Sequence, residues 1–565
     1  MGLPGFVSWL RKEYGDRMIM KDLNKYNIKT LYIDANCLIH PKCFEVLEAN
    51  PSGDLENIMF QRICKFIDYL IEYVKPKDWF LAVDGSAPRT KLKQQRDRRY
   101  KSIEDTKMRN DLKKKYGRST NSVWSNTVIT PGTEFMERLH QYLLKYFKVS
   151  KKSYIYSSYH TPDKGKHKIL DHIRKVRSVE PCVIYGLDAD LFFLAMASMC
   201  PNIYLLREEQ HFVSGKATKR EIFDIINDVS EDMRFVSIDI VKECYDQTIS
   251  RILYNRGYQD ESSDYWVDFI FICYFLGNDF LPHIPSIDIH KSGLDIIIDC
   301  YIDVLINLSC RFVDQNLQIN QIFLLDFLKE LSSYEIQYFT EILPRHRQKL
   351  ERRVCPSSDE YLIELFDLEN MRFEINDPIK LGVGKSDEWK FRYYEYYFGV
   401  NEHADVLIDQ MCKSYLEGLI WVSKYYFVKC ASWSWQYPFT HAPFISDIYA
   451  YLQKSNLDVN KISFNIDKPL LPCVQLLCVL PPACSKELPI KYQKLITDES
   501  SPIIDMFPNE CIVDKIGKDM NWLCIPILPF LDIDRIFDAI KNKPLNKLEI
   551  IRNTERDEFI FTLLK

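Results

Sequence analysis

The sequence holds 17 cysteines but lacks any C-x-x-C pair, which leaves zinc ribbons and thioredoxin-like redox motifs without their ligand spacing. Thiols scattered in this way are expected to be buried and reduced. Also missing is any run of 18 uncharged apolar residues. The most hydrophobic stretch, Leu294 to Leu308, is interrupted by Asp295, Asp299 and Asp303, so no membrane span is expected. The N-terminus shows no charged-then-apolar leader layout. Met1-Gly2 is followed at position 6 by Phe6 rather than Ser or Thr, which argues against N-myristoylation. Strong net charge is absent too: the balance is −5 at pH 7, so nucleic-acid binding would have to rest on local clusters. No internal repeat and no low-complexity tract interrupts the 565 residues. An abundance of Lys, Ile, Asn, Tyr and Phe is what AT-rich codons favour, and it hints at a protist or a large DNA virus as the source.

With 46% apolar residues the chain can bury sizeable cores. Three short apolar runs each end on an acid: Thr30 to Asp34, Trp79 to Asp84, and Cys182 to Asp188. Continuous runs of this length suit buried strands of a parallel sheet. Helical spacing lies between them, in Ile58, Ile63, Phe66, Ile67 and Leu70, and again in Phe135, Met136 and Leu139. The alternation predicts an α/β domain, whose ligands sit beyond the carboxyl ends of the strands. One aspartate after a strand is commonly a helix cap. Three strands ending alike, one with Asp188 and Asp190 together, favour a metal-binding acidic cluster. Asp279, inside the apolar setting Phe275 to Pro282, is a further candidate, because a lone buried carboxylate is costly unless paired or bound to metal.

Five residues after Asp84 a basic run begins. From Arg89 to Arg118 there are thirteen Lys or Arg against four Asp or Glu. On a helix Lys91, Gln95, Arg98 and Arg99 share one face. An ammonium, an amide and two guanidinium forks together suit a terminal phosphate. An isolated run of this kind would be a solvated helix; its position beside a candidate metal ligand favours phosphate capture. The segment Ser432 to Phe444 carries Trp433, Trp435, Tyr437, Phe439 and Phe444 among Pro and Ser. Such rings can stack on bases without sequence preference, and an aromatic-lined core loop fits the spacing equally well.

These stretches, with Met1 to Phe6, Asp34 to Pro41, Asp84 to Arg89, Ile129 to Phe135, Tyr185 to Asp190, Leu206 to Glu209, Gly277 to Asp279, Trp389 to Tyr394, Tyr415 to Trp421 and Ser500 to Asp505, resemble the eukaryotic 5′→3′ exoribonuclease (Xrn) family along nearly the whole chain. The resemblance implies an α/β fold: a parallel-sheet nuclease domain of the flap-endonuclease or PIN-like kind, with a largely helical second region packed against it. The expected division is 1–306 for the nuclease region, 307–387 for a helical connector and 388–565 for the second region. Asp34, Asp84, Asp188, Asp190 and Asp279 match the family acids that hold two magnesium ions. Lys91, Gln95, Arg98 and Arg99 match its 5′-monophosphate pocket, and His40 with one of Trp433 and Trp435 matches the residues that stack on the first bases. The implied activity is release of nucleoside 5′-monophosphates from single-stranded 5′-monophosphorylated RNA by metal-ion catalysis, in the cytoplasm and away from membranes.

One departure stands at the centre. The family's Gly-Glu-Gly-Glu-His-Lys motif here runs Asp163-Lys164-Gly165-Lys166-His167-Lys168, so lysine replaces both glutamates. Local charge moves by four units, and like charge at about 4 Å costs several kcal/mol at an effective dielectric near 20. Fewer than two tightly bound Mg²⁺ or Mn²⁺ ions are expected unless the lysines turn outward, with Asp163 one residue out of register as a partial substitute. A working 5′→3′ exoribonuclease, with a lysine standing in for one metal's charge, is the first resulting expectation, and a non-cutting binder of 5′-monophosphate RNA is the alternative. The long C-terminal extension and the Cys/His knuckle of other members are not found, so the chain reads as a catalytic core.

Overall fold

A computed structural model describes the chain except for residues 1–4, 50–52, 121–123, 151, 209–230, 260–263, 401–403 and 563–565. The motif residues Met1 to Pro4 and Glu209 lie outside the described residues. The strands are β1 (Ile19–Met20), β2 (Thr30–Asp34), β3 (Asp78–Ala82), β4 (Ser153–Ser157), β5 (Cys182–Tyr185), β6 (Ile203–Glu208), β7 (Met233–Ser237), β8 (Ile512–Asp514), β9 (Ile525–Ile527) and β10 (Phe559–Phe561). Eight of them form one sheet in the order β1-β7-β6-β5-β2-β3-β4-β10, and β8 with β9 makes a separate hairpin. The four central pairings are parallel, while the pairings of β7 with β6 and β1, and of β10 with β4, are antiparallel.

The three runs expected as strands are β2, β3 and β5, side by side at the middle of the sheet. Their alternate side chains feed two cores. Tyr32, Phe80, Ile184 and Leu205 face one core, and Leu31, Ile33, Leu81, Val183 and Tyr185 face the other. Burial on both faces is what unbroken apolar strands require. Helices Asn36–Ala49, Leu55–Val74 and Glu134–Phe147 cover the second face. The first face carries helices Asp190–Ala197, Tyr265–Ile272 and Gly293–Leu308, together with Asp405–Phe427 from the later half of the chain. None of the described helices is long and apolar enough to cross a membrane. All seventeen cysteines are free, ten of them buried.

The far end of the chain also reaches the sheet. β10 pairs with β4, matching Phe559 with Tyr156. Just before it, His160 Nδ1 lies 2.6 Å from the Thr554 carbonyl, the Arg556 N–H donates to the His160 carbonyl at 3.2 Å, and the Thr161 hydroxyl donates to the Arg556 carbonyl at 3.0 Å. The loop after β4, which leads to Lys164, is thereby held from outside.

Candidate active site

All five candidate acids lie at the carboxyl edge of the parallel strands or directly above it. Asp34 closes β2, Asp84 follows β3 by two residues, Asp188 follows β5 by three, and Asp190 opens helix Asp190–Ala197. Asp279 comes from the turn after the short helix Cys273–Leu276. The helix Gly165–Val176 aims its first turn into this group, with Lys164 as its N-cap. The Gly165 N–H donates to Asp84 Oδ1 at 2.8 Å, as expected for a carboxylate at a helix N-terminus.

Both lysines point inward. Lys164 Nζ bonds to Asp84 Oδ2. Lys166 Nζ bonds to Asp190 Oδ2 and lies 3.3 Å from Asp188 Oδ2 and 3.5 Å from Asp279 Oδ2. A third ammonium, Lys91, pairs with Asp279 Oδ2. Burial works against a charge on Lys166, but Asp190, Asp188 and Asp279 outweigh it and hold its ammonium well above the usual lysine range. Lys164 has weaker support, and burial with the neighbouring Lys166 pushes it down. Burial brings Lys91 to about 8 against the pull of Asp279. Asp34 rises to about 6 through burial and the charge of Asp188.

Asp163 does not substitute for a missing glutamate. Its Oδ1 accepts from the Tyr425 hydroxyl and from the Lys164 N–H at 2.8 Å, and burial lifts it to about 7. Its backbone instead ties two loops together. The Gly85 N–H donates to the Asp163 carbonyl at 2.8 Å and the Asp163 N–H to the Ser86 carbonyl at 2.7 Å. A Cβ on Gly85 would lie 1.9 Å from the Thr161 carbonyl oxygen. Gly85→Ala is therefore expected to cost about 1–3 kcal/mol, read as a lower midpoint in urea. An unchanged midpoint would refute the close packing of these loops.

The basic run forms one helix, Arg89–Lys115, and the structure divides it. Its far part is neutralised rather than free: Arg109 pairs with Glu369 at 3.0 Å, Lys115 with Glu364 at 2.6 Å, and Arg118, just past its end, with Asp359. Its near part faces the acids. Arg99 donates to the Gln95 carbonyl at 2.9 Å and to Thr130 Oγ1 at 2.8 Å. Gln95 Oε1 and Arg99 Nε are buried without a hydrogen-bond partner among the described residues. His40 stands close enough to Lys164, Arg99 and Arg98 to feel their charge, and burial together with these cations lowers it to about 4. It stays neutral near pH 7.

The two tryptophans part company. Trp435 stacks on Trp421 at 5.6 Å inside the helical half. Trp433 accepts the Arg89 N–H at 2.8 Å through its carbonyl, at the head of the basic helix. Its N–H is held by Asp467, and among the described residues its ring meets no other aromatic ring.

Sequence reasoning missed several supporting groups. Gln94 donates to Asp279 Oδ1 at 2.6 Å and accepts from Arg98 at 3.3 Å; its spacing of three from Lys91 was the available signal. Asn36 accepts the Asp84 N–H at 3.0 Å. Arg207 caps the carbonyls of Gly186, Leu187 and Asp188. Lys168 donates to the Val83 and Ser158 carbonyls at 2.7 and 2.8 Å.

Whether these residues suit a metal ion can be judged from their free valences. Asp34 Oδ1 and Asp190 Oδ1 are buried oxygens with no partner among the described residues. Asp34, Cys37 and Asp188 each offer one ligand atom, all within 4.8 Å of one another. Five carboxylates against three ammonium groups leave two negative charges, the amount one dication neutralises. The donor set fits a single ion beside Asp34 and Asp188.

Acids at the carboxyl edge of a parallel sheet, with a basic helix beside them, are the arrangement of a PIN-like nuclease domain. The family models agree: "XRN 5'-3' exonuclease N-terminus" matches residues 1–209, and "Xrn1 helical domain" matches 264–362 and 356–565. The chain belongs to the Xrn family of 5′-3′ exoribonucleases. It is 30% identical to 5'-3' exoribonuclease 1 of Homo sapiens, across 98% of this chain and 35% of that protein. It is 29% identical to the 5'-3' exoribonuclease 2 homolog of Drosophila melanogaster, across 99% of this chain and 73% of the relative. For 5'-3' exoribonuclease 2 of Arabidopsis thaliana the identity is 28%, with 100% and 69% covered. The chain thus spans about a third of the length of the human relative. These relatives come from animals and a plant and lend no support to a viral source.

Proposed function

We propose that this chain captures the 5′-monophosphate end of single-stranded RNA and hydrolyses it slowly at most. The observation that carries the reading is Lys166, whose ammonium contacts Asp190 and sits 3.3 and 3.5 Å from Asp188 and Asp279. A second dication would have to displace a buried, fully paired cation. The net charge leaves room for one Mg²⁺ or Mn²⁺ ion held by Asp34 and Asp188; when bound it would supply Lewis-acid and water-activating chemistry. In this reading Gln95, Arg98 and Arg99 hold the terminal phosphate, and Lys91 serves the acids instead. His40 and Trp433 offer flat faces to the first bases, while Trp435 stays stacked on Trp421.

A working exonuclease is the second reading. It is favoured by Lys164 and Lys166 themselves, which bring fixed positive charge to the centre where a metal would otherwise supply it. A degradation assay on 5′-monophosphorylated RNA with Mg²⁺ or Mn²⁺ separates the two. Tight binding with little release of nucleoside monophosphates is expected; release at a rate typical of the family would sink the first reading.

The pocket assignment has its own check. RNA with a 5′-monophosphate is expected to bind at least tenfold tighter than 5′-hydroxyl RNA, about 1.4 kcal/mol, and Arg99→Ala should remove the difference. Equal affinity of the wild-type chain for both RNAs would refute the pocket.

A further inference from the structure

We propose that the ion beside Asp34 and Asp188 takes a sulfur ligand from Cys37, so that the centre selects thiophilic dications such as Zn²⁺, Co²⁺ or Cd²⁺ over Mg²⁺. The inference rests on the single-ion reading above and deepens it. Cys37 lies in the first turn of helix Asn36–Ala49, three residues past Asp34. Its Sγ is 3.3 Å from Asp34 Oδ2 and accepts the Leu187 N–H at 3.4 Å. The sulfur thereby bridges the two loops that carry Asp34 and Asp188. Its ligand atom and theirs lie within 4.8 Å of one another, a span one ion can bridge. Asp34 is 4% exposed, and its second oxygen has no partner among the described residues.

Ligand chemistry then decides which ion. Mg²⁺ demands oxygen donors in near-octahedral order and keeps much of its water. A set of two carboxylates and one sulfur suits Zn²⁺ and its neighbours, which accept low coordination numbers and thiolate. Lys164 and Lys166 sharpen the choice by filling the space a hydrated Mg²⁺ would need. On binding, the Cys37 S–H bond gives way to a sulfur–metal bond and one proton passes to the buffer. Burial and the charges of Asp34 and Asp188 hold the free Cys37 thiol well above its usual range, so its proton leaves only as the metal binds.

Co²⁺ is the probe, because a thiolate–Co²⁺ pair absorbs in the near ultraviolet and an oxygen-only site does not. Among the described residues no other three His, Cys, Asp or Glu side chains come this close together, so the band would report on this centre. The full chain, titrated with Co²⁺ in a non-thiol reductant, should develop the band to one equivalent. Cys37→Ser should lose it and bind Co²⁺ at least tenfold more weakly, while Cys37→Asp, with three oxygens, should shift preference to Mg²⁺ and Mn²⁺. Capture of 5′-monophosphate RNA in EDTA checks that each variant is folded. Co²⁺ bound without the band, or a band that survives Cys37→Ser, overturns the sulfur ligand and leaves the single-ion reading standing. Failure of wild type and both variants to bind any dication overturns both.

Discussion

Lys164→Glu combined with Lys166→Glu is expected to raise metal-dependent hydrolysis about 100-fold or more while 5′-phosphate binding changes little. The double change moves the centre by four charge units and replaces two inward cations by two carboxylates on the same helix turn. The electrostatic gain from a bound dication is several kcal/mol; recovering about 2.7 kcal/mol of it corresponds to roughly 100-fold in rate. Release of nucleoside monophosphates from 5′-monophosphorylated RNA, followed against Mg²⁺ or Mn²⁺ concentration, measures the effect. If the lysines act as fixed catalytic cations instead, the double variant will be slower than wild type, and so will their alanine variants. A fast wild type that loses activity in the glutamate variant would reverse the assignment made here.

The second large effect concerns stability. Lys166 is 3% exposed and is the shared cation of Asp190, Asp188 and Asp279. Lys166→Met keeps much of the side-chain volume and leaves those carboxylates short of a partner. Breaking a buried ion pair from one side costs about 3–5 kcal/mol, so the variant should unfold at clearly lower urea in EDTA. A dication binding only the folded state should return part of that loss, growing with the logarithm of its concentration once above Kd. Wild type, in which Lys166 already pairs with Asp190, Asp188 and Asp279 and charge leaves room for one ion only, should respond less. Equal sensitivity of both proteins to EDTA would show that Lys166 does not stand in for a metal.

The middle of the fold was legible because β2, β3 and β5 are apolar on both faces, so no alternation obscured them. β4, Ser153-Tyr154-Ile155-Tyr156-Ser157, hid behind polar ends, and β10 is called into the sheet by a partner some 400 residues away. Of the site, the acids were legible through their place after strands, and the two lysines through the motif they interrupt. The direction in which those lysines point was not, since it is set by the Gly165 N–H on Asp84 and by how closely the Gly85 loop packs. Gln94 went unseen because Asp279 is 185 positions further on. The charge count of the basic run could not say which half would be cancelled by the acidic helix Glu360–Glu369.

The late strand has a consequence for how the chain is made. β4 leaves the ribosome long before β10, and until residues 559–561 appear its outer edge has no partner. At 5–20 residues per second, the intervening 400 or so residues take roughly 20 to 80 seconds to synthesise. Throughout that interval the nascent nuclease half presents an open, aromatic edge strand, the kind of surface that pairs with neighbours. Chaperone demand during translation should therefore be concentrated on this edge and end abruptly with the last strand.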